Sequence, residues 1–181
     1  TSGLNLRGHF KKNPEHIVIN HKYQGFDFIK IYSYVTRDEY HTILSTAKKL
    51  NFYTAGHIPF QVGLDGVLSE GMDEIAHIEE LLWEFSDFVR QRYFESEGEW
   101  MTYVIRQTFR QLKPYLELGP QGRDRRLDDM VAPVVRKLKG RDMPVCTTLV
   151  VDDVIVQKLF EPDLFLRKPE IRYMPNGYRE R

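Results

Sequence analysis

Cysteine is almost absent from the sequence. Cys146 is the only one among 181 residues, so no intrachain disulfide forms and the fold does not depend on an oxidising compartment. A single thiol also excludes a cysteine-rich zinc site. No apolar run approaches the ~20 residues of a membrane-spanning helix, and no signal-peptide pattern opens the chain. A membrane is therefore not an expected partner, and the cytoplasm is the expected location. Neither sign of charge dominates, with 26 Lys plus Arg against 26 Asp plus Glu. That balance provides no overall field to attract nucleic acid. The basic runs at 123–126 and 136–141 sit among Asp124, Asp128 and Asp129, as solvated faces do. No Gly-x-Gly-x-x-Gly or P-loop pattern occurs, and no repeat supports a solenoid. The first residue is Thr1 rather than Met, as expected of a piece of a longer polypeptide.

What is present suits a packed α/β domain. Hydrophobic residues make up 41% of the chain and are dispersed along it. Asn13-Pro14 marks a helix start, running to about Gln24, with Gly25 beyond its end. Phe26–Tyr32 reads as a strand. Thr36 and Glu39 form a capping box for a helix carrying Tyr40, Ile43, Leu44, Ala47 and Leu50 on one face. Strand Phe52–Gly56, helix Leu64–Glu70 and strand Glu74–His77 follow. A helix is expected over Glu79–Phe94, another after Ser96, a polar linker over Gly119–Arg126 and a helix over Leu127–Leu138. Met143–Val151, with Cys146 buried inside it, reads as a fourth strand, and Asp152–Leu159 as a short helix. The proline-punctuated tail 160–181 reads as loop.

Alternating strands and helices argue for parallel strands joined by crossovers. The whole chain, 1–181, reads as one domain with a helical insertion at about 79–140. Four parallel strands leave two open edges. Inward side chains such as Ile29, Ile31 and Val145 are expected to need cover, from a second copy or from the insertion and tail. A homo-oligomer is the expected state.

In parallel α/β architectures, ligands meet the carboxyl ends of the strands. His57 and His77 both stand at such ends, in Ala55-Gly56-His57-Ile58-Pro59 and Asp73-Glu74-Ile75-Ala76-His77. Adjacent strands lie ~4.8 Å apart, so two imidazoles at one level can share a metal ion. Each histidine alone also suits a helix N-cap or a core residue bonded to backbone. Lys30 lies in the apolar strand Phe28-Ile29-Lys30-Ile31-Tyr32. Buried, it must be paired, neutral or chemically used; on an edge strand it points to solvent. Tyr32, Ser33, Pro59, Phe60, Glu79 and Thr148 follow strand ends and could face a substrate.

These three segments together resemble the amidohydrolase superfamily, nearest to its imidazolonepropionase-like, metal-dependent hydrolases. The motif order is a lysine, then Gly-His-x-Pro, then x-His-x-Glu at His77 and Glu79. The resemblance covers roughly residues 14–80, and more loosely 143–150. It implies part of a (β/α)8 TIM barrel, whose strands four to seven this chain supplies. It also implies that Lys30, carboxylated by CO2, and the imidazoles of His57 and His77 are ligands of divalent metal, with zinc as the expected ion. Tyr32, Pro59, Phe60 and Thr148 become candidate contacts for a small amide-like substrate. The implied activity is hydrolysis of amide or cyclic amide C–N bonds by a metal-activated water. The family's H-x-H pair and its Gly-Thr-Asp-like run are absent, so three of six expected metal and acid–base residues are present and no catalytic acid–base residue is assigned. The alternative is a non-catalytic metal-binding or assembly half-barrel.

Overall fold

The computed structural model describes residues 13–175 and 177. The described chain divides after Cys146 into two compact units. The first begins with helix α1 (Pro14–Tyr23), which Asn13 caps by accepting from the Glu15 N–H at 3.1 Å. Strand β1 (Phe28–Ile31) and helix α2 (Arg37–Lys49) come next. The capping box opens α2: Glu39 Oε2 accepts from the Thr36 N–H at 2.9 Å, and Thr36 Oγ1 accepts from the Glu39 N–H at 3.3 Å. Strand β2 (Tyr53–Gly56), helix α3 (Gly63–Glu70) and strand β3 (Glu74–Ala76) complete the regular alternation. Gly71, left-handed at φ 72°, closes α3. A 3-10 helix (Ile78–Phe85), two long helices α4 (Glu97–Leu116) and α5 (Pro120–Gly140), and the short strand β4 (Val145–Cys146) follow.

The sheet is parallel throughout, in the order β1-β2-β3-β4. Asp73 fixes the β2–β3 register by accepting from the Thr54 N–H at 2.8 Å and from Thr54 Oγ1 at 2.7 Å. One face of the sheet packs under the helices. Ile29, Ile31 and Ile75 are buried there with Val18, Tyr40, Leu44, Leu64 and Val67. The other face carries Phe28, Lys30 and Tyr53. Ile29, Ile31 and Val145 are expected from sequence to meet water on the open face; instead Ile29 and Ile31 are buried and Val145 packs partly buried against the same core. Period-2 alternation places Phe28, 50% exposed, and Tyr53, 43% exposed, on the open face.

The insertion differs from expectation in its first half. Residues 86–94 are not helical. The Asp87 backbone is bonded by a side chain, its N–H to Gln111 Oε1 at 2.8 Å and its C=O to Gln111 Nε2 at 2.9 Å. The surrounding aromatic side chains collapse into a second cluster, in which Phe60, Trp100 and Val104 are buried with Trp83, Phe88, Phe94 and Tyr103 packed against them. Arg90 staples this region, donating to Phe60 O at 3.1 Å, Trp83 O at 3.3 Å and Glu84 Oε1 at 2.9 Å. Residues 120–126, expected as linker, are the first turns of α5, with Pro120 at the position where its missing N–H costs nothing.

The expected strand Met143–Val151 shrinks to two residues. Thr148, left-handed at φ 51°, turns the chain out of extended geometry, and its C=O accepts from the Val151 N–H at 2.9 Å. Cys146 is exposed at the sheet edge rather than buried. The second unit consists of α6 (Leu149–Phe160), α7 (Pro162–Leu166) and a 3-10 helix (Pro169–Tyr173). The tail expected as loop is therefore largely helical, and each of its two turns starts on a proline. Among the described residues, no helix is long and apolar enough to cross a membrane.

Candidate functional site

The site is built from three neighbouring strand ends. Lys30 is the penultimate residue of β1, and His57 and His77 are the first residues after β2 and β3. Both histidine backbones remain tied to the adjoining strand. His57 N–H donates to Ile31 O at 3.0 Å, and His77 N–H donates to Cys146 O at 2.8 Å. Gly56 permits the first of these contacts. Its φ is +145°, and a Cβ there would lie 2.1 Å from Ile31 O.

Strand alternation carries Lys30 and His57 to the uncovered face. By the same alternation His77 would follow Ile75 to the opposite, helix-covered face. Instead its φ is 73°, a conformation that non-glycine residues adopt at a cost of order 1–3 kcal/mol. Its ring lies 4.5 Å from that of His57, centroid to centroid, and its Nε2 is 3.3 Å from Lys30 Nζ. The structure thus brings Lys30, His57 and His77 together. The left-handed turn also starts the 3-10 helix directly, and Glu80 N–H donates back to His77 O at 3.2 Å. This tight turn folds Glu79 and Glu80 over the histidines.

The hydrogen bonds determine the ring protons. Glu80 Oε1 lies 2.6 Å from His57 Nδ1 and accepts from Ser33 Oγ at 3.3 Å, while Ser33 Oγ is 3.0 Å from the same Nδ1. A carboxylate only accepts, so Nδ1 carries the proton, and in the neutral ring Nε2 then carries the lone pair. His57 Nε2 is buried without a hydrogen-bond partner, as are Oε2 of Glu79 and of Glu80. Such orphans cost about 1–3 kcal/mol each and need an explanation. At His77, Nε2 lies 3.3 Å from Nζ of Lys30, whose side chain is exposed on the edge strand β1, and Nδ1 faces Glu79 Oε1 at 3.6 Å. Burial pushes the His77 imidazole below its ordinary range; His57 and Lys30 push the same way, and Glu79 and Glu80 oppose them.

The remaining candidates divide. The Tyr32 ring lies 4.3 Å from His57 and is half exposed, at the rim of the site. Pro59 and Phe60 are buried, Phe60 at the centre of the aromatic cluster. Thr148 belongs to the second unit. Ser33, expected to face a substrate, is buried and spends its hydroxyl on His57 and Glu80. Glu80 is the residue sequence reasoning missed. Its signal was a carboxylate three positions after a strand-end histidine, the spacing that one 3-10 turn brings back.

The residues present suit a metal in two respects. A buried imidazole Nε2 stands ready as a donor, and its other nitrogen is held by a carboxylate, the arrangement that orients metal-binding histidines. Two imidazoles plus a carboxylated lysine would make three protein ligands, the number that leaves a catalytic metal one open position. Among the described residues, no group of three or more His, Cys, Asp or Glu is arranged to hold a metal ion. Compared with known proteins, the sequence matches no family model and no curated protein, and the fold matches no solved structure.

Proposed function

We propose that this chain carries part of the active site of a metal-dependent hydrolase acting on amide or cyclic amide C–N bonds, within a (β/α)8 barrel whose other strands lie outside it. The observation that carries this reading is the meeting of Lys30, His57 and His77 at three adjacent strand ends, with His57 Nε2 buried and unpartnered. His57 and His77 would hold a divalent ion, zinc in the first instance. Lys30 would join them if its amine, once deprotonated, added CO2 with formation of an N–C bond and loss of one proton, which would make it an anionic oxygen ligand of the kind divalent ions accept. The bound ion would polarise a carbonyl and lower the pKa of a water beside it. The chain's own residues do the positioning. Glu80 and Ser33 hold the His57 ring, Glu79 faces His77 Nδ1, and Tyr32 offers a half-exposed ring to a small amide-like substrate at the rim.

The test uses this chain together with the further strands that the proposal calls for. Turnover of amide and cyclic amide substrates should stop on chelation and return with zinc. The double variant His57→Ala/His77→Ala should lose both turnover and bound metal. Wild-type turnover in that variant, with metal content unchanged, would sink the assignment. A second reading, an assembly half-barrel without activity, is favoured by one observation: Phe28 and Tyr53 stand exposed on a parallel sheet, a type of sheet that ordinarily has both faces covered. In that case a second copy covers the face and no substrate is turned over.

A further inference from the structure

We infer that Glu80, backed by Ser33, is a positioning residue that locks His57 in the Nδ1–H tautomer and thereby presents the bare Nε2 to a ligand. The inference rests on the proposed function only for the identity of that ligand. Four observations carry it. Glu80 is 5% exposed, so its carboxylate is not there for solvation. Its Oε1 makes a 2.6 Å contact with His57 Nδ1, a charge-assisted length. Ser33, only 4% exposed, donates to that same oxygen at 3.3 Å and also stands 3.0 Å from Nδ1. Both groups therefore converge on one nitrogen of the ring and leave the other bare. His57 Nε2 is buried and has no partner.

This is not a nucleophilic Ser–His–carboxylate relay. Such a relay needs serine and carboxylate on opposite ring nitrogens, and here both meet Nδ1. A serine hydroxyl that donates to a carboxylate and shares its imidazole partner is part of a clamp. The clamp is built from two strand ends and one turn: Ser33 follows β1, His57 follows β2, and Glu80 comes from the 3-10 turn after β3. Ring orientation is thus coupled to the spacing of three strands.

The experiment is 15N NMR of the histidine rings in the chelator-treated chain, paired with zinc affinity measured against a competing dye. In wild type, His57 should show a protonated Nδ1 and an unprotonated Nε2. Glu80→Gln offers both a donor and an acceptor to Nδ1, so it should populate the Nε2–H tautomer. Zinc affinity should fall about 10–100-fold in that variant, with unchanged far-UV circular dichroism. A wild-type His57 protonated at Nε2 would overturn the inference. So would a folded Glu80→Gln chain with wild-type tautomer and wild-type affinity. If wild type binds no zinc, the metal reading fails while the tautomer result still decides this inference. If Glu80→Gln does not fold, the wild-type spectrum alone decides it.

Discussion

Replacing Gly56 with alanine perturbs the site through its backbone and leaves every site side chain in place. The cost follows from two independent features. The first is the φ of +145°, which an L side chain rarely adopts; holding alanine there costs of order 1–3 kcal/mol. The second is steric. The new Cβ would lie 2.1 Å from Ile31 O and 2.7 Å from Ile31 N, backbone atoms of the paired strand that cannot swing aside as a side chain would. Forcing β1 and β2 apart costs about 1–3 kcal/mol by analogy with overpacked cores. It also weakens the 3.0 Å bond from His57 N–H to Ile31 O, worth about 1 kcal/mol net. Together these effects come to roughly 3–7 kcal/mol, a large share of the ~5–15 kcal/mol typical of a domain. Urea denaturation is the assay, with a lowered midpoint expected at unchanged slope. Gly25→Ala is the control. Its φ of +82° carries the conformational cost, but nothing lies within 4 Å of the added carbon, so a loss near 1 kcal/mol is expected. If Gly56→Ala costs no more than Gly25→Ala, the close approach of β2 to β1 is not as described.

Asp73→Ala removes the acceptor for two Thr54 donors and should cost roughly 2–3 kcal/mol; an equilibrium unfolding curve unchanged from wild type would show that the β2–β3 register is held elsewhere. His77 should titrate below the ordinary imidazole value of ~6.5, because burial, His57 and Lys30 all disfavour its charged form. Since the folded pKa lies below the unfolded one, this stability contribution is present above pH ~6.5 and is lost as pH falls through the folded value; NMR titration of the metal-free chain showing His77 at or above 6.5 would contradict it. The face bearing Phe28 and Tyr53 should drive self-association, which Phe28→Glu/Tyr53→Glu reduces; sedimentation showing a wild-type monomer at all concentrations would refute this.

Most of the sheet was legible because its signals are local. Apolar runs such as Phe28-Ile29-Lys30-Ile31, the Thr36/Glu39 box and Gly71 each act within a few residues. The strand-end positions of Lys30 and the two histidines followed from that reading. What failed depends on distant partners. Residues 86–94 are apolar enough for a helix, but Gln111, 24 positions later, takes the Asp87 backbone. Leu149-Val150-Val151 has strand composition, yet the turn at Thr148 starts a helix there. Glu80 escaped notice because its role depends on the positive φ of His77, which no side chain in the sequence announces. Ser33 was placed correctly at a strand end, but its orientation towards His57 rather than solvent depends on the carboxylate of Glu80, 47 positions away.

The central claim is that Lys30, His57 and His77 form one metal-binding group, and zinc binding to this chain tests it most directly. Isothermal titration with zinc in carbonate buffer, on wild type and on Lys30→Ala, His57→Ala and His77→Ala, gives a decisive pattern. The account predicts a saturable wild-type site that each single substitution weakens by at least about tenfold, or about 1.4 kcal/mol. Zinc bound equally well by all four proteins, or by none, would contradict it.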